Sequence, residues 1–287
     1  MKIVTTLSEM RNARKKLPGP VGFVPTMGYL HAGHISLANA ARSACVSVVA
    51  SIFVNPTQFG PNEDLDKYPR DLPRDLAMLE AAGVDMAWTP SAEGMYPPGF
   101  QTWVDVQGLT ARLEGEIRPD HFRGVATVVV KLFNAVGPDR AYFGQKDAQQ
   151  AAMIRRMTRD LDFPVEIVVR PIVRETDGLA MSSRNVYLNL EERKAATILF
   201  RALSAAETAY QGGERQAESL RRIVRDLIAT EPLARLQYVS CANNVTLEEL
   251  VTVREGALLS TAVHLGKTRL IDNIVIGDQV EEHLDGA

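Results

Sequence analysis

The stretch that decides the fold is His31-Ala32-Gly33-His34, which follows the apolar run Val21-Gly22-Phe23-Val24 and opens a helical pattern from Ile35 to Ala44. This order predicts a strand, a loop and a helix whose N-terminus lies at the end of the strand. Such a terminus binds phosphate, because unpaired N–H groups and the positive end of the helix dipole face the ligand. Gly28 and Gly33 leave the backbone open to a nucleotide, and the histidines add donors for a reacting phosphate. We therefore predict that the loop binds ATP for an activation reaction.

Two alternatives for His31 and His34 remain open on this motif alone. Histidines at this spacing also occur as surface residues of an ordinary helix. A zinc site is the less favoured alternative, because a third ligand is needed and the remaining histidines are distant in the sequence.

The composition is typical of an ordinary globular protein of 287 residues, with 46% hydrophobic and 23% charged residues. The formal net charge of −3 gives no electrostatic reason to expect a nucleic-acid partner. Apolar runs such as Val46–Val54 are too short to span a bilayer, and the polar N-terminus is unlike a signal peptide. Cys45 and Cys241 are far apart, which favours reduced thiols in a cytoplasmic protein.

Strand and helix patterns alternate over residues 1–175, which predicts an α/β domain with a parallel sheet. The predicted strands are Val21–Val24, Val46–Val54, Met86–Thr89, Arg140–Phe143 and Val165–Val169. The predicted helices are Gly33–Ala44, Asp71–Ala82, Asp147–Leu161 and the ambiguous, valine-rich stretch Gly124–Val136.

The pattern after Arg174 changes to that of a smaller α+β domain, residues 176–287. A capping box formed by Asn189 and Glu192 predicts a helix from Leu190 to about Tyr210. The residues that indicate a second helix share one face: Leu220, Ile223, Val224, Leu227 and Ile228. Strands are expected at Leu236–Cys241 and Ala262–Ile276, with a turn of helix at residues 246–249 between them.

Six stretches, taken together and in order, resemble the pantothenate synthetase (pantoate–β-alanine ligase) family. They are Pro25–His34, Phe53–Phe59, Arg118–Phe122, Gly144–Gln150, Asp177–Asn185 and Arg269–Asn273. The resemblance implies a Rossmann-like nucleotidyltransferase domain for ATP and pantoate, followed by a C-terminal lid domain. It also implies a two-step reaction: ATP and (R)-pantoate form pantoyl adenylate and pyrophosphate, and β-alanine then attacks the acyl carbon to release pantothenate and AMP.

The resemblance further implies which residues bind ATP and act in catalysis. His34 is the expected proton donor, and the implied catalytic set is His31, His34, Lys146, Ser182, Ser183 and Arg184. The full implied ATP site is Met27, Gly28, Tyr29, Leu30, His31, Ala32, Gly33, His34, Gly144, Gln145, Lys146, Asp147, Val173, Met181, Ser182, Ser183 and Arg184. Hydroxyls and a guanidinium fork are good phosphate donors, which suits the last three of these residues.

Several of these residues have an ordinary structural alternative. A lone lysine such as Lys146 is usually solvated, and Asp147 could cap the helix that follows it. Ser182 and Ser183 also fit a plain turn, and Val173 fits the end of a buried strand.

Two glutamines match the family's pantoate positions, Gln58 and Gln150, and Gln58 also matches a β-alanine position. An amide suits such ligands because it donates to a carboxylate and accepts from a hydroxyl. Asn55 and Tyr68 are candidates for the same pocket, although Asn55 also fits a turn before Pro56. The structural alternative for two further residues, Arg118 and His121, includes an ion pair of the arginine with Glu114 or Glu116.

Mg²⁺ is expected with ATP, held mainly by phosphates and water. Asp75 is a candidate ligand that also fits an exposed helix position, so no metal ligand is assigned. The family resemblance implies a homodimer. The alternatives are another nucleotidyltransferase of the same superfamily, and a non-catalytic nucleotide sensor, which would be expected to have lost a histidine or Lys146.

Overall fold

Short runs of β-branched and small apolar residues form the six strands of the first sheet. The computed structural model describes residues 1–61 and 63–277. The strands are β1 (Lys2–Val4), β2 (Val21–Thr26), β3 (Ser47–Ile52), β4 (Met86–Trp88), β5 (Arg140–Gly144) and β6 (Glu166–Arg170). Their order is β1-β4-β3-β2-β5-β6, and every neighbouring pair is parallel.

Helices cover both faces of this sheet, as a parallel sheet requires. They are α1 (Leu7–Arg14), α2 (Ala32–Ala44), α3 (Leu72–Ala81), α4 (Ala92–Met95), α5 (Glu114–Ile117), α6 (His121–Val136) and α7 (Ala148–Asp160). Consecutive strand residues point to opposite faces, so Phe23 belongs to a core with Phe133 of α6, and Val24 to a core with Leu37 of α2. Within the described residues, no helix is long and apolar enough to cross a membrane.

The α/β class and the parallel sheet are confirmed, and all five predicted strands and four predicted helices are present with small shifts at their ends. Helix α6 begins at His121, three residues before the predicted start. Four elements were not predicted, β1, α1, α4 and α5, each of which is eight residues or shorter.

An antiparallel sheet forms the later part of the chain. Its strands β7 (Ala234–Ala242), β8 (Gly256–Leu265) and β9 (Thr268–Gly277) lie in the order β7-β8-β9. The accompanying helices are α8 (Leu190–Ala195), α9 (Ile198–Gln211) and α10 (Ala217–Ile228). Leu203 of α9, Val224 of α10 and Leu259 of β8 belong to one buried core.

Three predictions for this region were wrong in detail. The helix predicted from Leu190 to Tyr210 is interrupted between α8 and α9, where the Thr197 hydroxyl donates to the Lys194 carbonyl and competes with helical bonding. The strand predicted at Ala262–Ile276 is a hairpin of β8 and β9, which turns at Gly266 with a φ of +56°.

The third concerns residues 246–249, which do not form a helical turn. The Asn243 Oδ1 atom accepts from the backbone N–H groups of Val245 and Thr246, which favours an Asx-type turn there. Glu249 then forms an isolated antiparallel β-bridge with Ala242.

The chain divides into two compact units by its internal contacts. The first unit comprises Met1–Gln145 and Met153–Val173, and the second comprises Lys146–Ala152 and the chain from Arg174 onward. The segment Lys146–Ala152 is therefore part of the second unit, although it lies between β5 and β6 in the sequence.

Candidate active site

The first sheet has a switch point at the carboxyl end of β2. β2 pairs with β3 on one side and with β5 on the other. Strands β3 and β4 lie on one side of β2, and strands β5 and β6 lie on the other side. Ligands of open parallel sheets bind outside the carboxyl ends of the strands at such a point. The loop Met27–His31 follows β2, Gly144 is the last residue of β5, and Gln145 comes directly after it.

The histidine motif forms the N-terminus of α2. His31 is the N-cap, and its Nδ1 accepts from the Gly33 N–H at 3.2 Å, while the His34 Nδ1 accepts from the His31 N–H at 3.3 Å. A neutral imidazole that accepts at Nδ1 carries its proton on Nε2. The two ring centroids are 4.1 Å apart, so this motif places two Nε2–H donors side by side at a helix N-terminus.

Gly33 is required by the same arrangement. A Cβ atom at this position would lie 2.9 Å from Nδ1 and Cε1 of the His31 ring, closer than real Cβ contacts allow. The same Cβ would lie 3.9 Å from the Cβ of Val173, which brings Val173 beside the motif within the first unit. Glycine here therefore permits the His31 ring to fold back over the helix terminus.

Asp75 holds the loop before the motif in its conformation. Gly28 and Tyr29 have φ angles of +85° and +48°, and the Asp75 carboxylate accepts from the Tyr29 and Leu30 N–H groups at 2.7 Å each. A Cβ at Gly28 would lie 3.0 Å from the Asp75 Oδ2 atom. The loop therefore needs both the glycine and the carboxylate.

The alternative of an exposed helix position for Asp75 is wrong, because the residue is only 1% exposed. Burial raises the pKa of Asp75 above its ordinary value, and the two N–H groups oppose that rise. Leu79, one turn later on α3, is also buried, and this spacing from Asp75 is the sequence signal for a buried face.

Gln58 lies in a short 3₁₀ helix after β3 and is buried. Its Nε2 donates to the Met27 Sδ atom at 3.0 Å, and its Oε1 accepts from Asn55 Nδ2 at 3.1 Å. Asn55 is buried as well, donates to the Gly124 carbonyl, and accepts from the Tyr96 hydroxyl. The Gln58 amide is thus oriented beside the β2 loop by contacts within the first unit.

Arg118 and His121 hold the backbone of Gln58. The Gln58 carbonyl accepts from His121 Nδ1 at 2.9 Å and from Arg118 Nη2 at 3.3 Å. Burial, reinforced by the Arg118 charge, lowers the pKa of His121 to about 4, so the ring is neutral at pH 7 and donates through Nδ1. The ion-pair partner expected for Arg118 is corrected: it is Glu63, which the guanidinium binds in bidentate fashion at 2.5 and 2.6 Å.

Three site predictions fall on Lys146–Ala152, the short segment of the second unit. Lys146 and Asp147 end a 3₁₀ turn, and Gln150 lies in the first turn of α7. The Lys146 Nζ atom lies 3.8 Å from an Asp147 carboxylate oxygen, and the lysine side chain is 21% exposed. The lysine is therefore only partly solvated.

The serine–arginine segment, Met181–Arg184, also belongs to the second unit. Ser182 caps a 3₁₀ helix and accepts from the Arg184 N–H at 3.3 Å, and Ser183 is buried. The following residue, Asn185, donates to the Ala180 carbonyl and to Glu175 at 3.1 Å each. This hydrogen bonding gives the segment a defined backbone.

The structure thus groups the predicted residues in two sets. The first unit brings together the β2 loop, both histidines, Gln58 and Val173, and the second holds Lys146, Asp147, Gln150 and Met181–Arg184. Among residues 1–61 and 63–277, no group of three acidic, histidine or cysteine side chains is arranged to hold a metal ion. The roles assigned to individual residues remain predictions.

Comparisons with known proteins agree with one another. The family model for pantoate-beta-alanine ligase matches residues 2–275. Pantothenate synthetase from Roseiflexus sp. is 62% identical over 276 residues, which cover 96% of this chain and 99% of that protein. Pantothenate synthetase from Thermus thermophilus superposes with a TM-score of 0.93 at 50% identity, over 97% of this chain and 100% of that chain.

A more distant solved structure agrees as well. Pantoate-beta-alanine ligase from Francisella tularensis, complexed with beta-gamma ATP and beta-alanine, superposes with a TM-score of 0.79 at 34% identity. The match covers 96% of this chain and 97% of that chain. The family model and these relatives span nearly the whole length, and they show that the chain belongs to the pantoate–β-alanine ligase family and is a ligase.

Proposed function

We propose that the protein condenses (R)-pantoate with β-alanine in two steps, through pantoyl adenylate, and releases pyrophosphate and AMP. The observation that carries the proposal is the pair of Nε2–H donors at the N-terminus of α2, beside the switch point of a parallel sheet. The complex of the Francisella tularensis ligase with an ATP compound and beta-alanine supports the same substrates here.

In the first step, a pantoate carboxylate oxygen attacks the α-phosphorus of ATP and pyrophosphate leaves. Negative charge develops on the phosphate oxygens, so the protein must supply donors and cations and align the attacking oxygen. His31 and His34 supply donors from the first unit. Lys146, Ser182, Ser183 and Arg184 are the proposed donors and charges from the second unit.

Gln58 and Gln150 are the proposed pantoate residues, and Gln58 is also proposed to contact β-alanine. The buried position of Gln58, with its amide oriented by Asn55 and Met27, supports a ligand-binding role over a solvated one. In the second step, the β-alanine amine attacks the acyl carbon, and AMP leaves as a good leaving group.

Three further expectations stay proposals. Mg²⁺ would enter with ATP, bound mainly by phosphates and water, because both oxygens of Asp75 already accept from backbone N–H groups. Cys45 and Cys241 are buried free thiols, which supports a cytoplasmic location. The homodimer is proposed on the family resemblance alone.

The test is isotope exchange of pyrophosphate into ATP, measured with and without (R)-pantoate and in the absence of β-alanine. Exchange that depends on pantoate is expected, because formation of the acyl adenylate is reversible. ATP binding without pantoate-dependent exchange would favour a different acceptor or a nucleotide sensor, and the ligase proposal would then be withdrawn.

A further inference from the structure

The late motif Arg269–Asn273 matches the family, yet no role in the reaction has been given to it. It lies on β9, an edge strand of the antiparallel sheet. Asp272 and Asn273 are adjacent on this strand and point to opposite faces, but the two residues are only 2% and 3% exposed. Buried polar groups of this kind are costly unless hydrogen-bonded, so their partners indicate their purpose.

The Asn273 side chain contacts the backbone of Lys146. The Asn273 Nδ2 atom donates to the Lys146 carbonyl at 2.9 Å, across 127 positions of the sequence and within the second unit. Lys146 lies in a single 3₁₀ turn, Gln145–Asp147, between β5 and α7. A hydrogen bond to its carbonyl therefore fixes the peptide from which the lysine side chain extends.

Asp272 and Arg174 in turn fix the backbone around Asn273. The Asp272 carboxylate accepts from both Nη atoms of Arg174, at 2.7 and 3.0 Å, and from the Asn273 N–H at 2.8 Å. The same guanidinium donates to the Asn273 carbonyl at 3.3 Å and lies 4.1 Å from the centre of the Phe200 ring. A bidentate ion pair with a buried carboxylate is geometrically specific, so it gives Asn273 a defined position.

Arg174 also reaches the turn that precedes the serine–arginine segment. It donates to the Gly178 carbonyl at 3.0 Å, and a Cβ at Gly178 would collide with the Phe200 ring. The cluster of Arg174, Asp272 and Asn273 thus contacts backbone on both sides, at Lys146 and just before Met181.

We propose that Asn273 is a positioning residue for adenylate formation, which acts by fixing the backbone of Lys146 and is itself held by the Arg174–Asp272 pair. The inference rests on the proposed function, in which the Lys146 ammonium stabilises charge on the reacting phosphate. Displacement of a charged group by about 1 Å costs up to roughly 100-fold in rate, so a lost hydrogen bond at this carbonyl is expected to be visible in the first step.

The experiment is a double-mutant cycle read by pantoate-dependent pyrophosphate exchange. The full-length variants are Asn273→Ala, Lys146→Ala and the double variant. We expect Asn273→Ala to lower the maximal exchange rate roughly tenfold or more, with a smaller effect on the pantoate KM. In the double variant the rate should equal that of Lys146→Ala, because Asn273 acts only through the lysine.

Asn243→Ala is the matched control. Asn243 also bonds to backbone within the second unit, at 2.8 and 2.9 Å, but its partners are in the turn after β7. This variant is expected to lower the thermal unfolding temperature and leave the exchange rate unchanged. Should Asn273→Ala fail to fold, Asn273→Asp keeps the side-chain volume, replaces the donor nitrogen with oxygen, and is expected to show the same loss.

The contrary outcomes are distinct from one another. Exchange within about twofold of wild type in folded Asn273→Ala or Asn273→Asp overturns the inference, and so do losses that multiply in the double variant. If Lys146→Ala keeps wild-type exchange, the proposed role of Lys146 fails together with the inference. If Lys146→Ala loses exchange while the Asn273 variants keep it, only the positioning role fails.

Discussion

The two motif histidines differ from ordinary helix-surface histidines because backbone N–H groups set their tautomers. Each Nδ1 accepts a hydrogen bond, so each neutral ring donates through Nε2. The histidine motif thereby provides two side-chain N–H donors, whereas a glycine loop would provide only backbone N–H donors. Gly33 is needed for this arrangement of the two rings, because the His31 ring occupies the space that a side chain at position 33 would take.

Removal of the His34 donor is expected to lower the rate of adenylate formation by about 100-fold, because charge on the reacting phosphate loses its stabilisation. His34→Ala removes the whole ring. His34→Asn retains an acceptor for the His31 N–H and removes only the donor at Nε2. Single-turnover formation of the adenylate is the measurement, and a near-normal rate in both folded variants would contradict the assignment.

Gln58→Ala is expected to raise the KM for pantoate by about tenfold or more and to change the KM for ATP by less than about twofold. The reason is that the amide is proposed to contact the acid and not the nucleotide. Gln101→Ala, at an exposed position in the same unit, is the control. Equal increases in both constants would argue against a pantoate role.

His121 makes stability depend on pH in a defined direction. Its pKa is about 4 in the folded protein and near 6.5 in the unfolded chain, so its contribution is complete above pH 6.5. As the pH falls toward 4, the unfolded chain binds a proton that the folded ring does not, and about 2 kcal/mol is lost by pH 5. Urea unfolding at pH 7 and pH 5 measures this loss. His121→Asn, which keeps an N–H donor but does not titrate, should show a smaller decrease, and an equal decrease would contradict the assignment.

At the scale of elements, the β2–α2 loop depends on α3 for its shape. Asp75 is 46 residues away from Tyr29, and nothing in the local pattern of either segment predicts that they meet. The positive φ angles of Gly28 and Tyr29 are maintained because two backbone N–H groups are bound by one buried carboxylate.

Asp75→Ala is expected to destabilise the protein by about 3 kcal/mol, because the buried Leu30 N–H and the partly buried Tyr29 N–H lose their acceptor. Asp71→Ala on the same helix removes a solvent-exposed N-cap and should cost about 1 kcal/mol. Chemical denaturation of both variants makes the comparison. Equal losses would show that Asp75 contributes no more than an ordinary cap.

The elements that the sequence predicted correctly are those with strong local patterns. Short runs of β-branched residues predict the strands β3 and β6, and the one-sided apolar face predicts the helix α10. The hairpin of β8 and β9 was missed because its turn is only two residues long, and the break before α9 because it depends on one hydroxyl bond. For the site, the ordered motifs indicated the residues, whereas the contacts of Asp75, Glu63 and Asn273 are long-range pairings that local spacing does not encode.

At the scale of the whole molecule, the proposed reaction uses groups from both units. The histidines and Gln58 belong to the first, and Lys146 and Met181–Arg184 to the second. On the proposed roles, we expect the complete reaction to need the intact chain. The fate of the reacting atoms is the direct test of its chemistry.

We expect pantoate labelled with ¹⁸O in its carboxylate to transfer one labelled oxygen to AMP during synthesis of pantothenate. The carboxylate oxygen that attacks the α-phosphorus stays with the phosphate when β-alanine takes the acyl group. Mass spectrometry of the AMP measures the transfer, with unlabelled pantoate in ¹⁸O-water as the control. Label in inorganic phosphate, together with ADP, would instead indicate an acyl phosphate and contradict the adenylate.

The position of Lys146–Ala152 has a consequence for recombination between homologous genes. A single crossover near codon 174 would join the lysine segment of one parent to the β9 strand of another, although the two are hydrogen-bonded partners here. In each such chimera, Asn273 from one parent would have to form its hydrogen bond with the Lys146 backbone from the other parent. Two further crossovers, flanking codons 146 and 152, would take both hydrogen-bonded partners from one parent. The codons that must be inherited together are therefore not contiguous in the gene.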